Sequence, residues 1–208
     1  TQFEYYWTLY FAGQFPLDSL CQHNTLTSLH LHNNQFDGQL SPSISLCTNL
    51  EQLYAGNNQM TGPVLPPDYG SIDNMAIEYI SLHSNKFSGP LPDGISNLPN
   101  LLRFEVFMNQ IDGPIPPSIC SNTPLMTYFR VYDNLLSGPL PASIGDCTAL
   151  QWLDLSNNLF SGEIPVTYAN LINLSSISLS NNKFSGELSG KLPPNANSLY
   201  ISNNQFTG

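Results

Sequence analysis

From Leu26 onward, apolar and polar positions recur as L-x-x-L-x-L-x-x-N-x-F-x-G. The asparagines are Asn34, Asn58, Asn85, Asn109, Asn134, Asn158, Asn182 and Asn204, spaced 24, 27, 24, 25, 24, 24 and 22 residues apart. Two residues after each stands an apolar residue, from Phe36 and Met60 to Phe184 and Phe206. Four residues after each stands a glycine, from Gly38 to Gly208. A period of this length marks a stacked-coil architecture, in which each unit buries its apolar edge only against its neighbours.

Each position has a physical role. Pairs such as Leu29/Leu31, Ile80/Leu82, Phe104/Val106, Phe129/Val131 and Leu153/Leu155 alternate inward across one outward residue. That period of two predicts a short strand in each coil. The asparagine has an amide to satisfy backbone groups that a turning chain leaves unpaired. The glycine allows a bend closed to other residues.

After the glycine the coils continue as Gly89-Pro90-Leu91-Pro92, Gly113-Pro114-Ile115-Pro116, Gly138-Pro139-Leu140-Pro141 and Gly162-Glu163-Ile164-Pro165. With Leu136-Ser137 before it, the third of these resembles the L-S-G-x-I-P signature of the plant extracellular leucine-rich-repeat family. The resemblance runs from about Leu26 to Gly208. It implies a β-rich solenoid, α/β in the class of its family: a right-handed superhelix with a parallel concave sheet and a second short strand after the glycine. It also implies an extracellular location. Proline is awkward inside helices, so the convex side should be loops and short 3-10 turns.

Residues 1–25 read as a degenerate N-terminal repeat, with Gly13 and Phe15-Pro16 in register and Glu4 at a position expected to be apolar. Residues 26–208 hold about eight coils, the last incomplete. Solenoids need polar end caps, so the expectation is a fragment of a longer receptor or receptor-like protein.

Composition narrows the function. The formal net charge is -10, with 15 acidic and 5 basic residues, which argues against nucleic acid and against anionic membrane. No apolar run is long enough for a membrane helix. Cys21 and Cys47 fall near one point of successive coils, as do Cys120 and Cys147. Strands lie ~4.8 Å apart and a disulfide needs Cα atoms ~4.4–6.8 Å apart, so Cys21–Cys47 and Cys120–Cys147 are the pairings that fit. Asn173-Leu174-Ser175 is a glycosylation sequon.

Four outward positions of each strand segment, two, four, six and seven residues after the first leucine, face the concave side. Here they are termed the second, fourth, sixth and seventh columns. The fourth coil presents Arg103, Glu105, Phe107 and Met108; the fifth Tyr128, Arg130, Tyr132 and Asp133; the sixth Trp152, Asp154, Ser156 and Asn157. The seventh and eighth are largely serine and asparagine. Aromatic residues beside arginine are the composition of binding hot spots. The candidate ligand site is therefore Arg103, Glu105, Phe107, Met108, Tyr128, Arg130, Tyr132, Asp133, Trp152 and Asp154.

The row Glu105–Arg130–Asp154 is expected to be an ion-paired strip rather than an acid–base pair, because the arginine holds both acids ionised. This leaves Arg103 as the freer cation. No catalytic set is visible, so no enzyme and no cofactor are expected. His30, His32 and His83 share the face, but Gly56 stands where a third adjacent metal ligand would be needed, so no metal is expected.

Some receptors of the resembled family that take secreted peptides hold the peptide's terminal carboxylate with an R-x-R pair on one concave strand. Arg130-Val131-Tyr132 has only the first arginine, so that form of capture is not expected here. The reading is a ligand-binding ectodomain for a secreted peptide, another small secreted signal or a protein ligand, with a co-receptor as a second partner. The alternatives are a secreted inhibitor of the polygalacturonase-inhibiting type and an ice-binding repeat protein.

Overall fold

A computed structural model of the chain describes residues 3–4, 12–71 and 76–207. Part of the degenerate N-terminal repeat, residues 1–2 and 5–11, lies outside these, as does Gly208.

The alternating pairs form three-residue strands: Ser28–His30, Gln52–Tyr54, Tyr79–Ser81, Arg103–Glu105, Tyr128–Arg130, Trp152–Asp154, Ser176–Ser178 and Ser198–Tyr200. With Phe3–Glu4 they make a nine-stranded parallel sheet in strict chain order. Coils one to eight are numbered here by these eight strands. Phe3 stands opposite Leu29 and Glu4 opposite His30. Glu4 is therefore in register with His30 of the fourth column and not with an apolar position.

Past each asparagine a second short strand leads to the glycine. Seven of these, from Thr61–Gly62 to Gln205–Phe206, form a second parallel sheet on the flank. The glycines that close them need φ > 0, as at Gly138 with φ 82°. The prolines that follow start 3-10 helices at Pro42–Leu46, Asp93–Asn97, Ala142–Asp146 and Val166–Asn170. No helix among the described residues is long and apolar enough to cross a membrane.

The asparagines carry much of the inter-coil bonding. Asn134 Nδ2 reaches Val131 O at 3.1 Å, Tyr132 O at 3.2 Å and Val106 O of the preceding coil at 3.0 Å. Its Oδ1 accepts from Ile111 N at 2.9 Å. One amide thus satisfies backbone groups in two coils, in a place water does not reach. Behind it, Phe87, Phe104, Phe129, Phe160 and Phe184 are among the fully buried side chains of one continuous core. Cys21–Cys47 and Cys120–Cys147 are disulfides, with Cα atoms 4.8 and 5.3 Å apart. Each ties two successive coils.

Candidate functional site

Parallel pairing without slip places Arg103, Tyr128 and Trp152 side by side, and likewise Glu105, Arg130 and Asp154. Same-column residues on neighbouring strands are close enough to touch, and here they do. In the second column the Arg103 guanidinium lies 4.2 Å over the Tyr128 ring, and Tyr128 faces Trp152 with ring centres 6.5 Å apart. In the sixth column His83, Phe107 and Tyr132 form a continuous stack. Their centres are 4.5 and 4.4 Å apart and the rings lie within 9° of parallel.

Arg130 stands between the two columns. Its guanidinium carbon is 4.8 Å from the Phe107 ring, 5.3 Å from Tyr132 and 5.9 Å from Trp152. A cation among ring faces gains ~0.5–2 kcal/mol per contact, depending on desolvation. The expected three-residue ion strip does not form. Arg130 Nη1 is 3.3 Å from Glu105 Oε1, and Arg103 Nη1 is 3.9 Å from the same oxygen. Asp154 instead accepts from the backbone N and Oγ of Ser156, at 3.1 and 2.6 Å. The reason is local: an aspartate can bond two residues ahead, while the stacking partners of Arg130 lean it toward Glu105.

Glu105 itself is buried beneath the arginines. It positions them and presents no surface of its own. Arg103, with its looser 3.9 Å contact, remains the less tightly held of the two. The outer surface is made by Tyr128, Tyr132, Phe107 and both arginines, all half-buried, with Trp152 and Met108 exposed at 40% and 50%. Asp133 stands beyond them at the seventh column. Burial raises the Tyr132 phenol above its ordinary 10.0, so it stays a neutral donor in physiological conditions.

A cleft of about 460 Å³ opens beside this ridge over coils one to three, lined by His30, His32, Tyr54, Gly56 and His83, among others. Gly56 makes it. A Cβ there would meet His83 Nε2 at 2.6 Å, so His83 leans into the space that the glycine leaves. Burial holds the His83 imidazole below its ordinary 6.5, against an opposing pull from Glu105. The sequence pattern gave the histidines a shared face but did not show the cleft. The glycine interrupting the sixth column was its one trace. Among the described residues no group of three metal-binding side chains converges.

Coils seven and eight contrast with this. Ser180 and Ser202 are hydrogen-bonded to one another at 3.1 Å, and Ser176 is buried. Tyr200 is the exception, 56% exposed on the eighth strand.

The seventh column has a property that the strand period does not show. Among the described residues, each of its members in coils one to eight has a left-handed backbone: Asn33, Asn57, Ser84, Met108, Asp133, Asn157, Asn181 and Asn203, with φ from 52° to 59°.

Known proteins share both the repeat and the solenoid. The Leucine Rich Repeat family model matches residues 25–47, 76–98, 149–171 and 173–196. Receptor-like protein kinase HAIKU2 of Arabidopsis thaliana is 36% identical over 145 residues, which is 68% of this chain and 12% of that protein. Receptor-like protein 39 of the same plant is 36% identical over 93 residues, 44% of this chain and 10% of that protein. The ectodomain of the Arabidopsis thaliana membrane receptor kinase GASSHO1/SCHENGEN3, solved with CASPARIAN STRIP INTEGRITY FACTOR 2, superposes with a TM-score of 0.86 at 36% identity. That match covers 94% of this chain and 23% of that one. A plant ice-binding protein superposes with a TM-score of 0.81 at 23% identity, a likeness of fold alone. The chain thus spans about a tenth of the curated relatives' length. With the repeat matched at four places in the sequence and the solenoid matched in space over nearly all its length, the chain belongs to the plant extracellular leucine-rich-repeat family.

Proposed function

We propose that this chain is part of a receptor ectodomain and binds an extended secreted peptide along its concave sheet, centred on coils four to six. The observation that carries the reading is the ridge formed by Arg103, Tyr128 and Trp152 beside Phe107, Arg130 and Tyr132. These side chains are ordered by one another before any ligand arrives. A preorganised aromatic surface loses little rotamer entropy on binding. The two guanidinium groups, only partly neutralised by one shared carboxylate, can donate to a carboxylate, sulfate or main-chain carbonyl. Three strands span about 10 Å, which suits a few residues of an extended chain. The relative bound to CASPARIAN STRIP INTEGRITY FACTOR 2 supports the same use of the fold. A co-receptor as second partner belongs to this proposal, and no reaction does.

The test begins with linear peptides selected from a random display library on the chain. Trp152→Ala, Tyr128→Ala and Arg103→Ala should each weaken their binding by ~2 kcal/mol, roughly thirtyfold. Ser178→Ala and Ser202→Ala should leave it unchanged. Normal binding by all three ridge variants would refute the concave site.

A further inference from the structure

The seventh column sets an unusual demand on its residues. A left-handed backbone crowds Cβ against the following carbonyl, and asparagine or aspartate tolerates it best because a short polar side chain can bond locally. Five coils meet the demand with asparagine and one with Asp133. The asparagines also bond to each other along the column. Asn57 donates to Asn33 at 2.9 Å, Asn181 to Asn157 at 2.6 Å and Asn203 to Asn181 at 2.5 Å. This second amide ladder is broken over coils three to five, at Ser84, Met108 and Asp133.

Met108 is the extreme case. It is a long apolar side chain at φ 55° and is 50% exposed. Its backbone cannot relax. Met108 N donates to Tyr132 O at 3.0 Å, and Met108 O accepts from Asn85 N at 3.3 Å. Its side chain meets the Ser84 hydroxyl, which donates to Sδ at 3.7 Å. Methionine here brings strain, an exposed apolar surface and a gap in the ladder, and only about half of it is buried in return. Residues held in such a conformation by their surroundings cluster at ligand-binding sites. Met108 also directly follows Phe107, the centre of the aromatic stack.

We infer that Met108 is a ligand-contact residue, held in a strained conformation so that its flexible thioether receives one apolar side chain of the bound peptide. An unbranched, polarizable side chain adapts to leucine, methionine or an aromatic ring. The inference rests on the concave-face reading above and adds a specificity determinant at the rim of the ridge.

Met108→Asn on the full chain tests it, since asparagine relieves the strain and removes the contact. The probe is the set of library-selected peptides whose binding depends on Trp152. The melting temperature should rise by about 2–4 °C, and those peptides should bind at least about tenfold more weakly. Met108→Leu keeps an apolar contact and should hold affinity within about threefold. A melting temperature that stays or falls would overturn the strain argument. Unchanged affinity of Met108→Asn for Trp152-dependent peptides would overturn the contact while leaving the ridge intact. Recovery of no Trp152-dependent peptide would overturn the concave-face reading and this inference with it.

Discussion

Coil five and coil seven are built alike behind their strands. Asn134 and Asn182 each reach three carbonyls, one of them in the preceding coil, and each accepts one backbone N–H at about 3 Å. Phe129 and Ile177 are both buried at the same inward position. On the outward side they share almost nothing. Coil five presents Tyr128, Arg130, Tyr132 and Asp133, and coil seven presents Ser176, Ser178, Ser180 and Asn181. The scaffold is therefore indifferent to what the concave columns carry. A serine face suffices for folding, so the aromatic and cationic face of coils four to six calls for a reason other than stability.

The comparison breaks first if the scaffolds are not equivalent. Asn134→Ala and Asn182→Ala should each cost about 2–3 kcal/mol, because each leaves buried backbone groups unpaired. Chemical denaturation should give the two values within about 0.5 kcal/mol of one another. A large disparity would mean that the ridge supports its own coil.

The next effect separates the ridge's foundation from its surface. Glu105→Gln should destabilise the fold by about 1 kcal/mol, discounted because both arginine partners are partly exposed. Asp154→Asn should cost under about 0.5 kcal/mol, since its partners are local. Equal costs measured by thermal unfolding would restore the three-residue strip.

The smallest effect concerns His83, at the edge of the ridge. Burial holds its folded imidazole below 6.5, so as pH falls the unfolded chain takes up that proton first. Its contribution to stability is present above about pH 6.5 and is lost as pH falls toward the lowered folded value. His83→Phe retains a ring in the stack. Its melting temperature should decline less than the wild type's between pH 7.5 and 5.5. Identical declines would remove His83 from the account.

Much of this organisation was legible along the chain because it follows from period and residue chemistry. Strand positions follow from Leu153/Leu155 and its equivalents, the amide ladder from Asn34 to Asn204, and the disulfide pairing from coil spacing. The resemblance of Leu136-Ser137-Gly138-Pro139-Leu140-Pro141 to the plant repeat pointed to the family. Other features depend on side-chain direction or backbone torsion, which a period of two does not encode. Asp154 turns to Ser156, Glu105 sinks under two arginines, and His83 fills the notch left by Gly56. The left-handed seventh column had a trace, the asparagine immediately before the repeat asparagine in five coils. That trace reads at first as surface polarity. Only the torsions make Met108 an outlier.

The most direct test replaces the outward residues of coils four to six with those that coils seven and eight already tolerate. Titration calorimetry with one library-selected peptide would compare the wild type with the combined variant Arg103→Ser, Tyr128→Ser and Trp152→Ser. Binding should weaken by at least about a hundredfold, while the melting temperature stays within about 3 °C. Undiminished affinity in the serine-faced chain would contradict the claim that this ridge is the binding surface.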